Sequence, residues 1–422
     1  MAELTSKIAD IECHPLLMED GECSLAQKAA PLLSDGETCA ADSFVRADGT
    51  RFVLNGDPFF MSGGALLDDA TLWDPKKPVP ENASIEARDY AFTAVGGLST
   101  VRLSVKMDYF MDEKCEPRRE GFEFLDEQLQ YAKANNLHVV IDMHVPYGGA
   151  VQDFQRNSLS MSFWASQELK DCFVKGWGEI AKKYAGNCLI AGFELMNEPS
   201  GMSRDFWKLM DGTIAAIRAT DEHHLLILQS AYDWQSREIA DGNIAFSAHY
   251  YSPMTFTLQN VYWDRRFDTD KPVEYPGMIK GNDGVDRMFD RSKIAGDVEQ
   301  LARISARRNI PVIMGEYAAS TGASEKSVGT WVSDVTNAVI EKGLAGYLYW
   351  RQVEPGIEDL STAKEGHMTI INKGPYFSAG QFFGIRPWFA KIDPDFDAKA
   401  FYDSLKEPAE FTVPECSSVP EK

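Results

Sequence analysis

The 422-residue chain is short of positive charge, with 42 Lys+Arg against 64 Asp+Glu, a net charge of −22 and a pI near 4.8. So acidic a surface repels polyphosphate backbones, and no nucleic-acid partner is expected. No apolar run reaches the roughly 18 residues of a membrane helix, so no membrane span is expected either. The first twenty residues have neither the basic start nor the apolar stretch of a secretory signal. Compartment therefore stays open: secretion if this is a mature form, the cytoplasm otherwise. The seven cysteines (Cys13, Cys23, Cys39, Cys115, Cys172, Cys188 and Cys416) contain no C-x-x-C pair, which argues against a zinc cluster. Several lie near the termini, where disulfides could staple an extension to the body. The odd count leaves one thiol over. Internal repeats, low-complexity tracts and interdomain linkers are absent. The single sequon, Asn82-Ala83-Ser84, matters only if the chain is secreted.

What is present is an ordinary globular composition, 44% hydrophobic with a mean hydropathy of −0.29. The length suits a single barrel with insertions. Residues 1–43 read as an extension of weak periodicity and 407–422 as a tail. Two short β runs around Asp48-Gly49 predict a hairpin over 44–56. Apolar runs then recur at 59–64, 98–104, 137–143, 189–195, 223–228, 243–249, 311–316 and 344–350. Amphipathic stretches near 84–95, 120–135, 166–185, 203–219, 233–240, 293–309 and 325–342 separate them, and a last helix fits 397–406. Near-continuous apolar strands alternating with helices imply a parallel sheet buried on both faces. Eight such units, with no glycine fingerprint after the first strand, predict a closed α/β architecture, a (β/α)8 TIM barrel over 44–406.

Three connections after strands are long: 145–164, 251–290 and 351–395. In a barrel they would line the catalytic face. They carry Tyr147, Phe154, Phe163, Trp164, Tyr262, Trp263, Tyr275, Tyr376, Phe377, Phe382, Phe383 and Trp388. Aromatic rings stack on the C–H faces of sugars, although many such rings simply pack loops down.

Polar groups gather at the strand ends: Arg102 on the second, Asp142-Met143-His144 on the third, Asn197-Glu198-Pro199 on the fourth, His249-Tyr250-Tyr251 on the sixth, Gly315-Glu316-Tyr317 on the seventh and Trp350 on the eighth. A barrel core favours branched apolar residues, so charges there point to catalysis. Glu198 and Glu316 stand three βα units apart, which sets them facing each other across the mouth. Leu195-Met196-Asn197-Glu198-Pro199 resembles the acid/base motif of glycoside hydrolase family 5. Arg102, His144, Asn197, Glu198, His249, Tyr251, Glu316 and Trp350 match that family's active-site pattern in order, and the resemblance spans roughly 44–405.

The resemblance implies a retaining glycosidase acting on β-linked oligo- or polysaccharide, without metal or organic cofactor. Glu316 would be the nucleophile, kept ionised beside Arg102 and Tyr251. Glu198 would be the acid/base, its pKa raised by a shared carboxylate pocket. Asn197 would bind the sugar 2-hydroxyl, His249 would orient Glu198, His144 would bind the sugar and Trp350 would be its floor. Glu194, deeper on the fourth strand, reads as a paired core group. Residues 142–146 (DMHVP) and 251–256 (YSPMTF) look like bacterial cellulases, so endo-β-1,4-glucanase activity leads. The alternatives are β-mannanase, exo-β-1,3-glucanase, a glycolipid-cleaving β-glycosidase and, outside enzymes, a sugar-binding pseudoenzyme. A metal-dependent barrel hydrolase would need a His-x-His pair on the first strand, and FFMSGG has none. A monomer is expected.

Overall fold

In the computed structural model, residues 38–351 are described apart from 75, 78, 81–84, 96–97, 147–151, 154–157, 160, 200–202, 230–233, 262–263 and 321; residues 18–19, 22–23, 353–354 and 371–372 add isolated strand pairs. Eight parallel strands close into a barrel in sequence order: β1 (Met61–Leu67), β2 (Thr100–Lys106), β3 (His138–Val145), β4 (Ile190–Glu194), β5 (Leu225–Gln229), β6 (Ile244–Tyr250), β7 (Val312–Tyr317) and β8 (Gly346–Tyr349). β8 returns to β1 through Gly346↔Met61 and the following pairs. The (β/α)8 barrel expected from the alternating pattern is the observed architecture.

Strand and helix sequences follow from what each must bury. β3 is buried along its whole length, one face against helices and the other in the barrel. The outer ring contains α1 (Ala87–Val95), α2 (Arg119–Ala134), α3 (Gln167–Tyr184), α4 (Ser203–Arg218), α5 (Arg291–Arg308) and α6 (Glu325–Glu341). On α3 the buried set Cys172, Phe173, Gly176, Trp177, Ile180, Ala181 and Tyr184 repeats at three- and four-residue steps, a single inward stripe. Ser166 caps that helix by accepting from the Leu169 amide.

Between β5 and β6 the expected helix at 233–240 does not form, and residues 234–240 run as turn and irregular chain. Arg308 from α5 explains this locally. Its guanidinium donates to the carbonyls of Trp234 and Arg237, acceptors that a helix would have used itself. Trp234 is buried against Phe246 at 4.8 Å, so the segment covers the barrel by one large side chain instead of a helical face.

The predicted hairpin is the first part of a three-stranded antiparallel sheet (Arg46–Asp48, Arg51–Leu54, Asp57–Phe59). Gly49 turns it at φ 60°, a conformation that glycine adopts without cost. Val45, Phe52, Leu54 and Phe59 of this region join one apolar cluster with Met61, Val140, Ala191, Leu225, Ile227, Ala245, Ile313 and Leu348. Those partners are inward residues of the strands, several of them at strand starts. The sheet thus plugs the barrel's lower end. Residues ahead of it are also tied to the barrel: Cys39 forms a disulfide with Cys188 just before β4, and its amide donates to the Gly186 carbonyl. A second disulfide, Cys115–Cys172, joins the β2–α2 connection to α3.

The catalytic-face connections give a mixed result. Phe163, Trp164 and Tyr275 are buried and pack their loops instead of facing a cleft. Tyr147, Phe154, Tyr262, Trp263 and the aromatics of 376–388 lie outside the described residues, as do the helix expected at 397–406 and the sequon. No described helix is long and apolar enough to cross a membrane.

Because Phe52 is fully buried in the plug, Phe52→Ala should cost about 3–5 kcal/mol of stability. Denaturant unfolding of the two proteins checks this; a loss under about 1 kcal/mol would mean the plug is not part of the barrel's cooperative core.

Candidate active site

Along each strand alternate side chains enter the barrel, so a step of two residues climbs one layer. The lower layers carry Val140 and Ile227. One step higher on the same strands stand Asp142 and Gln229, and β2 contributes Arg102 and Ser104. The interior therefore changes from apolar to polar toward the C-terminal ends. Close approach there needs Gly315: a Cβ on it would lie 1.8 Å from the Ser247 hydroxyl of β6.

Arg102 has no exposure, and its guanidinium fork is divided among four partners. Nε donates to Glu194 Oε2 at 2.6 Å, Nη1 to Glu316 Oε1 at 2.5 Å and Nη2 to Asn197 Oδ1 at 2.9 Å. Asp142 Oδ1 lies 3.1 Å from Nη2. Burial works against its charge, but Asp142, Glu194 and Glu316 outweigh that and hold its pKa well above the ordinary value. Glu194 is fully buried, as expected for a paired core group. Its other oxygen accepts from Gln229, and burial, reinforced by Asp142 and opposed by Arg102, pushes its carboxyl up. Glu194→Leu should strand the Arg102 Nε–H and cost on the order of 3–5 kcal/mol, while Glu194→Gln keeps an acceptor and should cost much less. Melting curves of the two variants check this; equal losses would show that volume, not pairing, matters there.

The two glutamates meet across the mouth. Glu316 Oε2 accepts from the Tyr251 hydroxyl at 2.9 Å. Burial first, then Glu316, keeps that phenol protonated far above its usual pKa, a permanent donor. His249 Nδ1 lies 2.9 Å from Glu198 Oε1 and 3.4 Å from Glu316 Oε2. A register shift between β6 and β7, after Ala248, brings His249 opposite Glu316. Glu198 itself has φ 38°, a left-handed conformation unusual for a non-glycine residue. The chain leaves extended geometry after Glu194. That is how the neighbours Asn197 and Glu198 both reach the mouth, one to Arg102 and the other to His249.

One expectation is reversed here. Burial does push the Glu198 carboxyl up, but the hydrogen bond and charge of His249, with smaller help from His144 and Arg102, bring it below the ordinary carboxylate value. His249 moves the other way: burial opposes its charge, yet Glu316 and Glu198 raise it above the ordinary histidine value. A second carboxylate alone would raise Glu198; the imidazole between the two reverses the shift. The pair holds one proton between its members. Its contribution to stability is fully present between the ordinary carboxylate and the ordinary histidine values, is lost as pH rises through the raised His249 value, and is lost as pH falls through the lowered Glu198 value. The melting temperature of His249→Asn should therefore fall furthest behind that of the unaltered protein in that window and converge above it. A gap independent of pH would dismiss the ion pair.

On the other side of the mouth, His144 Nδ1 lies 2.7 Å from Asp142 Oδ2, which also accepts from Ser104 at 2.7 Å. Its Nε2 is 3.3 Å from Asn197 Nδ2. Trp350 stacks on His144 with centroids 4.8 Å apart and planes 6° apart, and the Arg102 guanidinium is 5.9 Å from the indole centroid. All eight residues singled out from the sequence are thus joined in one contact network. Asp142, Ser104 and Gln229 complete it and were not singled out as site residues. Alternation could have found the first two, since Ser104 and His144 follow Arg102 and Asp142 by two. Gln229 fell one residue beyond the strand expected at 223–228. Trp73, 45% exposed after β1, was also missed; its ring meets His144 edge-on at 5.3 Å.

Among the described residues, Glu198, His249 and Glu316 form the grouping whose ligand atoms lie close enough to hold a metal, within 4.8 Å of one another. Each is already engaged by the others, by Tyr251 or by Arg102, whose positive charge at 2.5 Å from Glu316 opposes a cation.

A family model described as cellulase (glycosyl hydrolase family 5) matches residues 72–352. Endoglucanase C of Acetivibrio thermocellus is 25% identical over 292 residues, covering 63% of this chain and 83% of that protein. A β-xylosidase of Phanerodontia chrysosporium is 31% identical over 182 residues, 40% of this chain and 38% of its own. Among solved structures, Thermotoga maritima Cel5A in complex with cellobiose superposes with a TM-score of 0.60 at 19% identity, over 77% of this chain and 97% of that one. The cellulose synthase subunit Z of Clostridioides difficile does so at 0.57 and 20%, over 73% and 96%. At those identities the structural likeness speaks to the fold.

Proposed function

The chain belongs to glycosyl hydrolase family 5, and on that footing we propose that it cleaves β-1,4-linked glucan by double displacement, with Glu316 as nucleophile and Glu198 as acid/base. The observation that carries this reading is the approach of the two carboxylates to within 4.8 Å at their facing oxygens. Retaining enzymes need a carboxyl separation of about 5–5.5 Å, because one group must bond to the anomeric carbon; inverting enzymes leave room for a water.

The partners divide the labour accordingly. Glu316 is held by Arg102 on one oxygen and Tyr251 on the other, which aims it into the mouth. Its attack on the anomeric carbon expels the aglycone oxygen, which takes a proton from Glu198. That proton is stored on the Glu198–His249 pair. When a sugar excludes water from the mouth, burial favours the neutral carboxyl and the proton moves onto Glu198. After the aglycone leaves, Glu198 is the base that activates water against the glycosyl ester. Asn197, held by Arg102 and facing His144, offers its amide to the sugar 2-hydroxyl, and Trp350 offers the floor. The curated relatives named as endoglucanases, together with the DMHVP and YSPMTF stretches, favour an internal cut in a β-1,4-glucan.

Glu316→Ala should abolish turnover of an aryl β-cellobioside, and azide should restore formation of the α-glycosyl azide. Glu198→Ala should lose roughly 10²–10⁴-fold on poor leaving groups, and azide should yield the β-glycosyl azide. NMR of the azide products reads both outcomes; the same anomer from both variants would remove the role assignment. Cellohexaose should give mixed mid-length products, while release of single terminal glucoses, or faster hydrolysis of mannan or β-1,3-glucan, would overturn the substrate reading.

A further inference from the structure

Asp142 stands on β3 two residues before His144, without solvent contact, and no step of the proposed reaction uses it. Its Oδ2 accepts from the Ser104 hydroxyl and faces His144 Nδ1, both at 2.7 Å. Burial works against its charge, but Arg102, His144 and the hydrogen bonds of His144 and Ser104 hold the carboxyl below its ordinary value. An ionised carboxylate can only accept, so the proton in the contact with the imidazole sits on Nδ1.

The other end of the same chain of contacts leads independently to the same tautomer. Arginine has no acceptor, so the Asn197 atom that Arg102 Nη2 meets at 2.9 Å is the amide oxygen. The amide nitrogen is then the atom 3.3 Å from His144 Nε2. Two donors cannot share that contact, so Nε2 is bare and accepts one Asn197 N–H. A neutral imidazole protonated at Nδ1 satisfies both ends; an imidazolium fails at Asn197, and the other tautomer fails at both. Trp350, stacked on the ring with planes 6° apart, keeps it from turning over and exchanging its nitrogens. The amide has a second N–H, which makes no hydrogen bond to the described residues, and Asn197 keeps 7% of its surface exposed. That N–H is the donor left for a sugar.

We propose that Asp142 is a positioning residue: by fixing the tautomer of His144 it fixes which way the Asn197 side chain faces, and so keeps one amide N–H aimed at the sugar 2-hydroxyl. This rests on the glycosidase reading above and deepens it. Preference for a sugar with an acceptor at C2 should then depend on a buried carboxylate that the sugar does not reach. A site built to hydrogen-bond a hydroxyl discriminates strongly against the analogue lacking it, and loses that discrimination when the donor turns away.

The test reads the ring and the reaction separately. Nitrogen-15 NMR of the histidine rings at neutral pH, with His144→Gln identifying the His144 signals among the seven histidines, should show a protonated Nδ1 and a bare Nε2 in the unaltered protein. Asp142→Asn, whose amide can donate to Nδ1, should release the Nε2–H tautomer. The second reading compares kcat/KM on 2,4-dinitrophenyl β-cellobioside with that on the analogue lacking the 2-hydroxyl on the ring next to the cleaved bond. Asp142→Asn should reduce the preference for the hydroxylated substrate by about tenfold or more. Ser104→Ala leaves the carboxylate in place and should keep the tautomer, with the preference within about threefold. An imidazolium or an Nε2–H ring in the unaltered protein would overturn the inference. So would losses in Asp142→Asn that are equal on the two substrates, because Asp142 would then act through Arg102 alone, or an equal fall in preference in Ser104→Ala, because any disturbance of the strand would suffice. The ring tautomers need no turnover: if the unaltered protein hydrolyses neither substrate, the glycosidase reading falls, while the tautomer change still decides whether Asp142 sets His144. Should Asp142→Asn fail to fold, Asp142→Ser carries the same two readings.

Discussion

Arg102 is a single positive charge without solvent contact, surrounded by the carboxylates of Asp142, Glu194 and Glu316. One guanidinium cannot neutralise three buried anions, so the cluster as drawn in full ionisation would carry excess negative charge in a place where charge is expensive. The excess shows in the groups around it. Glu194 is pushed toward its neutral form and His249 toward its charged form. Both responses add a proton to the site. Burial raises Glu194 and the two facing carboxylates raise His249, while Arg102 opposes both shifts and Asp142 and Glu198 are held below the ordinary carboxylate value, so the cluster divides its few protons among particular members.

That polar layer stands on an apolar one. Inward residues of the lower strands and the plug from the N-terminal sheet make a continuous apolar cluster, and each large side chain buried there contributes roughly 1.5–3 kcal/mol. The plug removes water from the lower end, so the guanidinium network above sits over a dry floor, where its hydrogen bonds are stronger than they would be in contact with solvent. Separate helices pack the outside of the barrel through a second, larger cluster. Division of the fold into a stabilising bottom and a reactive top follows from this layering.

Much of this was readable from residue order, and the reasons differ by element. The strands announced themselves because a parallel strand buried on both faces must be nearly all apolar, as in β3 and β7. The eight site residues were legible because each breaks that rule at a strand end. The missing helix at 233–240 was not legible, since its absence depends on Arg308, some 70 residues away in sequence, taking the carbonyls. Glu198 misled for a related reason: its neighbour in energy is His249, 51 positions on, and only the register shift between β6 and β7 brings that imidazole between the two carboxylates. Trp73 escaped because a lone tryptophan in a loop carries no pattern. Its place at the site is visible only in its contact with His144.

The two sides of the mouth are held by different kinds of force, and the difference suits what each must do. On the side of Glu198 and His249 the restraint is electrostatic and adjustable: a proton can move within the pair, which is what the acid-then-base role proposed for Glu198 would require. The Glu198 backbone is itself held at a positive φ before Pro199, whose ring restricts it further. On the side of His144 and Trp350 the restraint is geometric. Asp142 fixes one nitrogen of the imidazole, the indole covers its face, and the residues behind are packed apolar side chains. A sugar would meet a rigid wall on one side and a protonic switch on the other. In the proposed reaction only the switch has to change state, and it is the pair that the second carboxylate, Glu316, also faces.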